Sequence, residues 1–158
     1  MAAKGFHAAI DGHVVNATAP VDINGSAVDS DVWTMEHYSH ASICVMLGVT
    51  GAATTITLEE CTAIDGTGAT AIAFEYYSET TAAGDTLSAR TTATTAGITG
   101  STNDGVMYII EIDASELSAD SPFLRVAFTD PSAATLASVT VILSGARYAG
   151  ESSATAIA

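Results

Sequence analysis

The chain has 158 residues, and 48% of them are hydrophobic, which is typical of a single folded domain rather than of a disordered acidic segment. Eighteen acidic and only four basic residues give a formal net charge of −14 at pH 7. This balance argues against nucleic-acid binding, because hardly any cation is present to neutralise phosphates, and against binding to an anionic membrane surface. No apolar run has the length of a signal peptide or a membrane span, so we expect a protein that is made and used without secretion.

Residues 1–30 differ from the rest of the chain. A weak apolar alternation runs through residues 13–26 and contains Pro20, which cannot donate to a sheet ladder. We predict an extended N-terminal arm that can contain one edge strand and is either disordered or ordered by a neighbouring subunit. The docking arm is favoured because its apolar content exceeds what a solvated tail needs, at Val14, Val15, Val21, Ile23 and Val28.

A β-domain is predicted over residues 31–148. Its first strand, Val32–Met35, is short, and the second, Ala41–Leu47, is apolar on both faces, which is typical of a buried central strand. Residues 53–61 alternate between apolar and polar side chains after a glycine turn. The pattern predicts that residues 41–47 and 53–61 form a hairpin.

In the later part of the chain, turns that contain glycine and aspartate separate the predicted strands. Further strands are predicted at residues 70–77, 86–92, 106–113, 123–129 and 136–148. A flexible loop is predicted over residues 97–105, one helical turn at the capping box Asp113-Ala-Ser-Glu116, and a flexible C-terminal tail at residues 149–158. The spacing favours an all-β fold, an antiparallel β-sandwich or jelly-roll-like barrel.

The search for reactive groups finds no combination of nucleophile, base and orienting residue, so we expect no enzymatic activity. Ser144 does not lie in a Gly-x-Ser-x-Gly elbow. Cys44 lies in an apolar strand, where burial penalises the thiolate. Cys44 and Cys61 are too few for a disulfide framework, and their spacing is compatible with two buried thiols or with one bridge between neighbouring strands.

The sequence also gives no reason to expect a metal or another cofactor. His37 and His40 are three residues apart, but no cysteine or histidine cluster supplies the further ligands that zinc needs. Asp22, Asp29 and Asp31 could gather a calcium ion, but no twelve-residue calcium loop is present. The default interpretation of these carboxylates is a solvated acidic surface.

Two of the four basic residues are candidates for ion pairs at an interface. Arg125 and Arg147 are scarce cations near carboxylates, and we interpret them as ion-pair partners within the chain or between subunits, with a free surface position as the alternative. Together with arm and aromatic positions, the candidate interface residues are Val14, Val15, Val21, Ile23, Trp33, Arg125, Arg147 and Tyr148. A sugar-binding surface is a competing interpretation of four aromatic residues, Trp33, Tyr38, Tyr76 and Tyr77, although core packing explains them equally well.

Four stretches between residues 20 and 148 carry a family resemblance. They are Val21-Asp-Ile-Asn-Gly25 leading to Asp31-Val-Trp33, residues 51–59, residues 108–117, and residues 133–138 continuing to 143–148. In these stretches the chain resembles structural proteins encoded near the capsid genes of tailed bacteriophages. The resemblance implies a capsid decoration (cement) protein that binds the major capsid protein on the outside of the head.

The expectations from this resemblance concern partners and location. We expect a homo-oligomer, a dimer or trimer, that assembles in the host cytoplasm and remains on the capsid exterior. Negative charge would repel packaged DNA, and an arm could add a strand to a neighbouring sheet. The alternative is a virion-surface, fibre or tail domain that binds a host glycan or receptor.

Overall fold

Alternating apolar side chains build two antiparallel sheets that face each other across one hydrophobic core. The computed structural model describes Gly5, residues 7–147 and residues 156–157. In chain order the elements are α1 (Ala8–Asp11), β1 (Gly12–Asp22), β2 (Val28–Asp29), β3 (Trp33–Thr34), β4 (Tyr38–Thr50), β5 (Thr55–Cys61), β6 (Thr70–Ile72), β7 (Phe74–Glu79), β8 (Thr91–Ala93), β9 (Ile98–Thr99), β10 (Val106–Asp113), a 3-10 turn (Ala114–Glu116), β11 (Phe123–Phe128) and β12 (Thr135–Ala146). The predicted all-β antiparallel sandwich is confirmed.

The two sheets have different strand compositions. The front sheet has the order β1-β12-β4-β10-β7-β8. The back sheet has the order β2-β11-β5-β6, with β3 paired to β11 and β9 paired to β5. Strand β4 lies between β12 and β10, so the predicted central position of residues 41–47 is confirmed.

The core follows the period of two along each long strand. On β10, the alternate side chains Val106, Tyr108, Ile110 and Ile112 are all buried. On β11 and β12 the same holds for Leu124, Val126, Phe128, Val139, Val141 and Leu143. Each fully buried aliphatic or aromatic side chain contributes about 1.5–3 kcal/mol, so these three strands account for much of the driving force.

The predicted hairpin between residues 41–47 and 53–61 is wrong. Strand β4 pairs with β10 and β12 in the front sheet, whereas β5 pairs with β11, β6 and β9 in the back sheet. The turn around Gly51 therefore carries the chain from one sheet to the other. The backbone passes close to β12 there, because the N–H of Gly51 donates to the carbonyl of Ala134 at 2.8 Å.

The strand predicted at residues 70–77 also changes sheets. Residues 70–72 form β6 beside β5 in the back sheet, and residues 74–79 form β7 beside β10 in the front sheet. The strand predicted at 86–92 is reduced to β8, which lies at the edge of the front sheet. Within the loop predicted at 97–105, Ile98 and Thr99 form the short strand β9.

The N-terminal segment is extended, as predicted, but it belongs to the sandwich. Strand β1 pairs with β12 from Gly12, opposite Ser144, to Asp22, opposite Leu136. Two register shifts, on either side of Thr18, let this irregular segment follow the sheet edge. A domain boundary after residue 30 therefore does not separate an arm from the domain, because burial in the core outweighs the weak strand pattern.

The end of the chain contributes to the back sheet. The N–H of Thr34 donates to the carbonyl of Ala156 at 2.9 Å, and Ile157 forms an antiparallel bridge with Trp33. Ala156 is 2% exposed and belongs to the core. The predicted flexible tail is therefore wrong for residues 156–157, whereas residues 149–155 and 158 lie outside the described residues.

Candidate interaction surface

The outward side of the front sheet carries a group of uncharged side chains on neighbouring strands. Paired residues of neighbouring strands point to the same side, so the row Asn16, Thr140, Cys44, Ile109 and Tyr77 crosses five strands. We call the uncharged outward side chains around this row the front face: Val14, Asn16, Cys44, Met46, Tyr77, Met107, Ile109, Leu136, Ser138, Thr140 and Ile142. Charged residues share this side of the sheet, since Glu79 lies opposite Met107 and Asp22 lies opposite Leu136.

The front face exposes large apolar side chains. Val14 is 50% exposed, Met46 is 48% exposed and Leu136 is 41% exposed. Met46 lies directly opposite Met107 on β10, so two of the four methionines are neighbours here. Contiguous exposed apolar surface of this kind marks interaction sites, and methionine adapts its shape to a partner.

The front face has an acidic border along β10 and β7. Glu111 lies opposite Glu75, and Asp113 lies at the end of β10 opposite His40. The Nδ1 atom of His40 is 2.8 Å from Asp113 Oδ1, and its Nε2 atom is 2.8 Å from Glu111 Oε2. The hydroxyl of Ser42 also donates to Glu111 Oε2, at 2.7 Å.

The two carboxylates change the titration of His40. Partial burial alone would lower the pKa of this imidazole, because it penalises the charged form. Hydrogen bonds to Asp113 and Glu111 and the charges of both outweigh the burial, and the pKa of His40 is raised above 6.5. A third carboxylate belongs to the same corner, since Glu116 accepts a hydrogen bond from the N–H of Asp113 at 2.8 Å.

The candidate interface residues of the N-terminal segment do not lie together. Val14 is on the front face, and Val21 is 40% exposed near the end of β1. Val15 and Ile23 are buried in the core of their own chain, as is Trp33 of β3. The interface prediction is wrong for these three buried side chains, because the apolar character that suggested it serves the core.

Arg125 forms the ion pairs predicted for it, and they lie within the chain. Its Nε donates to Glu59 at 2.7 Å, and its NH1 atom is 2.7 Å from Asp29. The three residues lie on β11, β5 and β2, and the guanidinium is 21% exposed. The arginine therefore joins three strands of the back sheet.

Arg147 is the second arginine among the candidate interface residues. It is exposed and borders an open groove that Met35, His37, Leu117 and Pro122 also line. Its guanidinium forms no ion pair with any residue that the structure describes. Tyr148, predicted beside it, lies outside the described residues.

The cysteines do not form the bridge left open by their spacing. Cys44 is on β4 in the front sheet and Cys61 is on β5 in the back sheet, and both thiols are free. Burial raises the pKa of each thiol, which disfavours the nucleophilic thiolate.

Other acidic groups hold loops in place. Glu79 accepts hydrogen bonds from the N–H groups of Thr81 and Thr86 at 2.7 and 2.9 Å, and these lower its pKa. Asp22 accepts from the N–H groups of Asn24 and Thr135. Over residues 7–147 and 156–157, no three His, Cys, Asp or Glu side chains are grouped so as to hold a metal ion.

The interaction surface was only partly visible in the sequence. Val14 was predicted, whereas Met46, Met107, Ile109 and Ile142 were not. The available signal was that strands β4, β10 and β12 carry apolar residues on both faces, and at residues 41–47 this pattern was interpreted as burial on both sides.

Comparison with known proteins adds no family to these observations. Among the described helices, none has the length and apolarity that crossing a membrane requires. A scan against protein-family models, a search of the curated proteins and a search of the solved structures each return no match.

Proposed function

We propose that the protein is a non-enzymatic structural component of a tailed-phage virion, a decoration protein that binds the major capsid protein on the outer surface of the head. The family resemblance over residues 20–148 is the starting point of this proposal. The surface of the sandwich supports an adhesive role, because it combines a strand edge, exposed apolar side chains and a large negative charge.

The observation that carries the proposal is the free edge of β1. This strand has eleven residues, and among the described residues β12 is the one strand that pairs with it, along one side. On its other side, the backbone bond that the described residues provide runs from the N–H of Asp31 to the carbonyl of Ala17 at 2.8 Å. A long unpaired edge is an aggregation risk in a monomer, whereas in an assembly it supplies backbone groups for a partner strand.

Exposed apolar side chains flank this edge. Ile10 of α1 is 72% exposed, and Val21 is 40% exposed near the other end of β1. Partner residues packed along the edge would cover both side chains. We assign the contact with the capsid to this edge, with Ile10 and Val21 as its apolar anchors.

The charge distribution supports a position on the outside of the head. Two of the four cations, Arg90 and Arg125, are engaged by Glu75, Glu59 and Asp29, which leaves the surface strongly negative. Such a surface is repelled by packaged DNA. In the described chain, His40 contacts Asp113 and Glu111, and the buried carboxylate of Glu60 accepts a hydrogen bond from the N–H of Ser118. These structural contacts support a role without catalysis.

Glycan binding is less well supported than capsid binding. Trp33 and Tyr38 are buried, and Tyr76 packs inward against Phe74 and Tyr108. Of the four aromatic residues considered, only Tyr77 lies on the front face. A sugar ring would therefore find no paired aromatic platform among these residues.

The test is binding to capsids of the phage that encodes the protein. Mass spectrometry of purified particles should find the chain in many copies, and the purified protein should sediment with empty heads. Ile10→Ser and Val21→Ser should each weaken binding about tenfold, because each removes about 1–1.5 kcal/mol of apolar burial. Leu87→Ser is the matched control, since Leu87 is also exposed but lies in the loop between β7 and β8.

Two results would overturn the proposal. One is the absence of the protein from purified particles. The other is head binding that Ile10→Ser and Val21→Ser both retain at the wild-type level, which would remove the β1 edge from the contact. Deletion of residues 1–28 is a poor test, because it also removes Val15 and Ile23 from the core.

A further inference from the structure

We propose that Asn24 is a site of spontaneous deamidation, at which the carboxylate of Asp130 acts as the base. The reaction consumes only water and converts an uncharged amide into the carboxylate of aspartate or isoaspartate. The inference goes beyond the proposed function, because this chemistry holds or fails whether or not the protein binds a capsid. It rests on the exposed turn that contains Asn24 and Gly25 and on one hydrogen bond across that turn.

The turn between β1 and β2 leaves the side chain of Asn24 free to move. Asn24 and Gly25 are both exposed, whereas the preceding Ile23 is fully buried and anchors the backbone. The side-chain amide of Asn24 forms no hydrogen bond with any residue that the structure describes. At Gly25 (φ +98°) the position of an added Cβ has no heavy atom within 4 Å, apart from its neighbours in the chain. The Cγ atom of Asn24 can therefore reach the nitrogen of Gly25.

Asp130 lies where a base for this reaction has to lie. The N–H of Gly25 donates to Asp130 Oδ1 at 3.1 Å. This nitrogen is the nucleophile of deamidation and loses its proton as it attacks, and a general base acts from about 2.6–3.2 Å. Asp130 belongs to the loop between β11 and β12, and its Oδ1 also accepts from the N–H of Ser132 at 2.8 Å. The second hydrogen bond fixes the carboxylate beside the turn.

The reaction proceeds through a cyclic imide. The nitrogen of Gly25 forms a bond to Cγ of Asn24 and passes its proton to Asp130. The bond between Cγ and Nδ2 then breaks, and Nδ2 takes the proton from Asp130 and leaves as ammonia. Water adds to one of the two imide carbonyl carbons and opens the ring, which gives aspartate or isoaspartate. Because the nucleophile and the amide belong to neighbouring residues, the attack is intramolecular and needs no bound substrate.

The other two asparagines of the chain lack this arrangement. Asn16 lies within β1 and is followed by an alanine, so its backbone is held in the sheet. Asn103 is followed by an aspartate, and its Nδ2 donates to the carbonyl of Thr80 at 2.8 Å. That hydrogen bond holds the amide in place. The structure therefore singles out Asn24 among the three asparagines.

The test is incubation of the folded protein at mildly alkaline pH, with samples taken over time. Deamidation adds one negative charge to a chain of net charge −14, so anion exchange separates the product. Peptide mapping by mass spectrometry locates the modified residue, and electron-transfer fragmentation distinguishes isoaspartate from aspartate. We expect the modification at Asn24, with Asn16 and Asn103 unchanged over the same period. Asn24→Gln should not form the product, because its longer side chain does not close the five-membered ring.

Two matched variants isolate the role of Asp130. Asp130→Asn keeps an oxygen that accepts from Gly25 but cannot take up its proton, so the rate at residue 24 should fall at least about tenfold. The variant adds no competing site, because the next residue is a proline, whose nitrogen carries no hydrogen. Asp22→Asn is the control, since Asp22 accepts from the N–H of Asn24 and not from that of Gly25. It removes the same charge from the same turn and should leave the rate unchanged.

Each result decides one part of the proposal. An unmodified residue 24, or faster modification of Asn16 or Asn103, would overturn the assignment of the site. Equal rates for wild type and Asp130→Asn, or equal slowing by Asp130→Asn and Asp22→Asn, would overturn the assignment of the base. The fluorescence of the single tryptophan, measured during urea unfolding, establishes that each variant is folded. Head binding is measured separately, so these results leave the proposed function standing.

Discussion

Protonation of His40 should stabilise the folded protein, because its imidazole lies between two carboxylates. Asp113 and Glu111 each lie 2.8 Å from a ring nitrogen, and both are on β10, next to the strand that carries His40. Glu75 lies opposite Glu111, and Glu116 bonds to the backbone of Asp113, so further negative charge surrounds the pair. When the imidazole is neutral, these carboxylates repel one another without compensation.

The direction of the pH dependence follows from the pKa shift. The folded pKa of His40 is raised above the unfolded value of 6.5, so the folded state binds the proton more tightly. The contribution to the free energy of unfolding is fully present below pH 6.5 and is lost as the pH rises through the higher folded pKa.

The magnitude is limited by solvent exposure. The side chains of His40 and Glu111 are 33% exposed and that of Asp113 is 61% exposed, so solvent screens both pairs. Partly exposed ion pairs contribute at most about 0.5–1 kcal/mol each, and we expect about 1 kcal/mol for the two together. With a urea dependence of about 2 kcal/mol per molar, the unfolding midpoint changes by about 0.5 M.

The assay is urea unfolding followed by the fluorescence of the single tryptophan, at about pH 6 and about pH 8.5. The difference in unfolding free energy between wild type and His40→Gln isolates the histidine, because other titrating groups cancel. We expect this difference to fall by about 1 kcal/mol from the lower to the higher pH. His7→Gln, at an exposed position, controls for the loss of a histidine. A difference that is constant or grows with pH would refute the reasoning.

Two substitutions and one deletion test other contacts, each by its effect on thermal or urea unfolding. Arg125→Met should destabilise the protein by about 2 kcal/mol, because it leaves the partly buried carboxylate of Glu59 unpaired, and a milder effect of Arg125→Lys is expected. Deletion of residues 156–158 should cost about 2 kcal/mol and shift tryptophan emission to the red, since it removes a backbone bond and apolar burial beside the indole. Gly97→Ala should be far more damaging than Gly25→Ala, because at Gly97 (φ +76°) an added Cβ would lie 2.3 Å from a backbone carbonyl oxygen, whereas at Gly25 (φ +98°) the space is open. No effect of the first two changes, or equal effects of the two glycine changes, would contradict these assignments.

The faces of the long strands could be predicted because burial has a strict period. Strands β10, β11 and β12 each alternate between buried and outward side chains, and a shift by one residue would place every apolar group of the strand in water. The capping box at Asp113 was equally local, since the N–H of Asp113 bonds to Glu116 three residues later. Local patterns of this kind need no knowledge of the rest of the fold.

Strand pairing could not be predicted in the same way. The turn between β4 and β5 has the glycines of a hairpin, yet it joins the two sheets. The residues of a turn set its local backbone and do not say which sheet the next strand enters. Partners that are distant in the sequence decide which sheet a strand enters. Strand β12, the last strand in chain order, lies between β1 and β4.

The interaction surface has the same ambiguity for a physical reason. An apolar residue such as Met46 or Ile109 on a two-faced strand is compatible with a second covering layer of the same chain or with a second molecule. Sequence pattern measures apolarity and not what covers it. Among the described residues, Met46 on the second face of β4 is 48% exposed. Val14 was found only because it lies in a segment whose apolar content looked excessive.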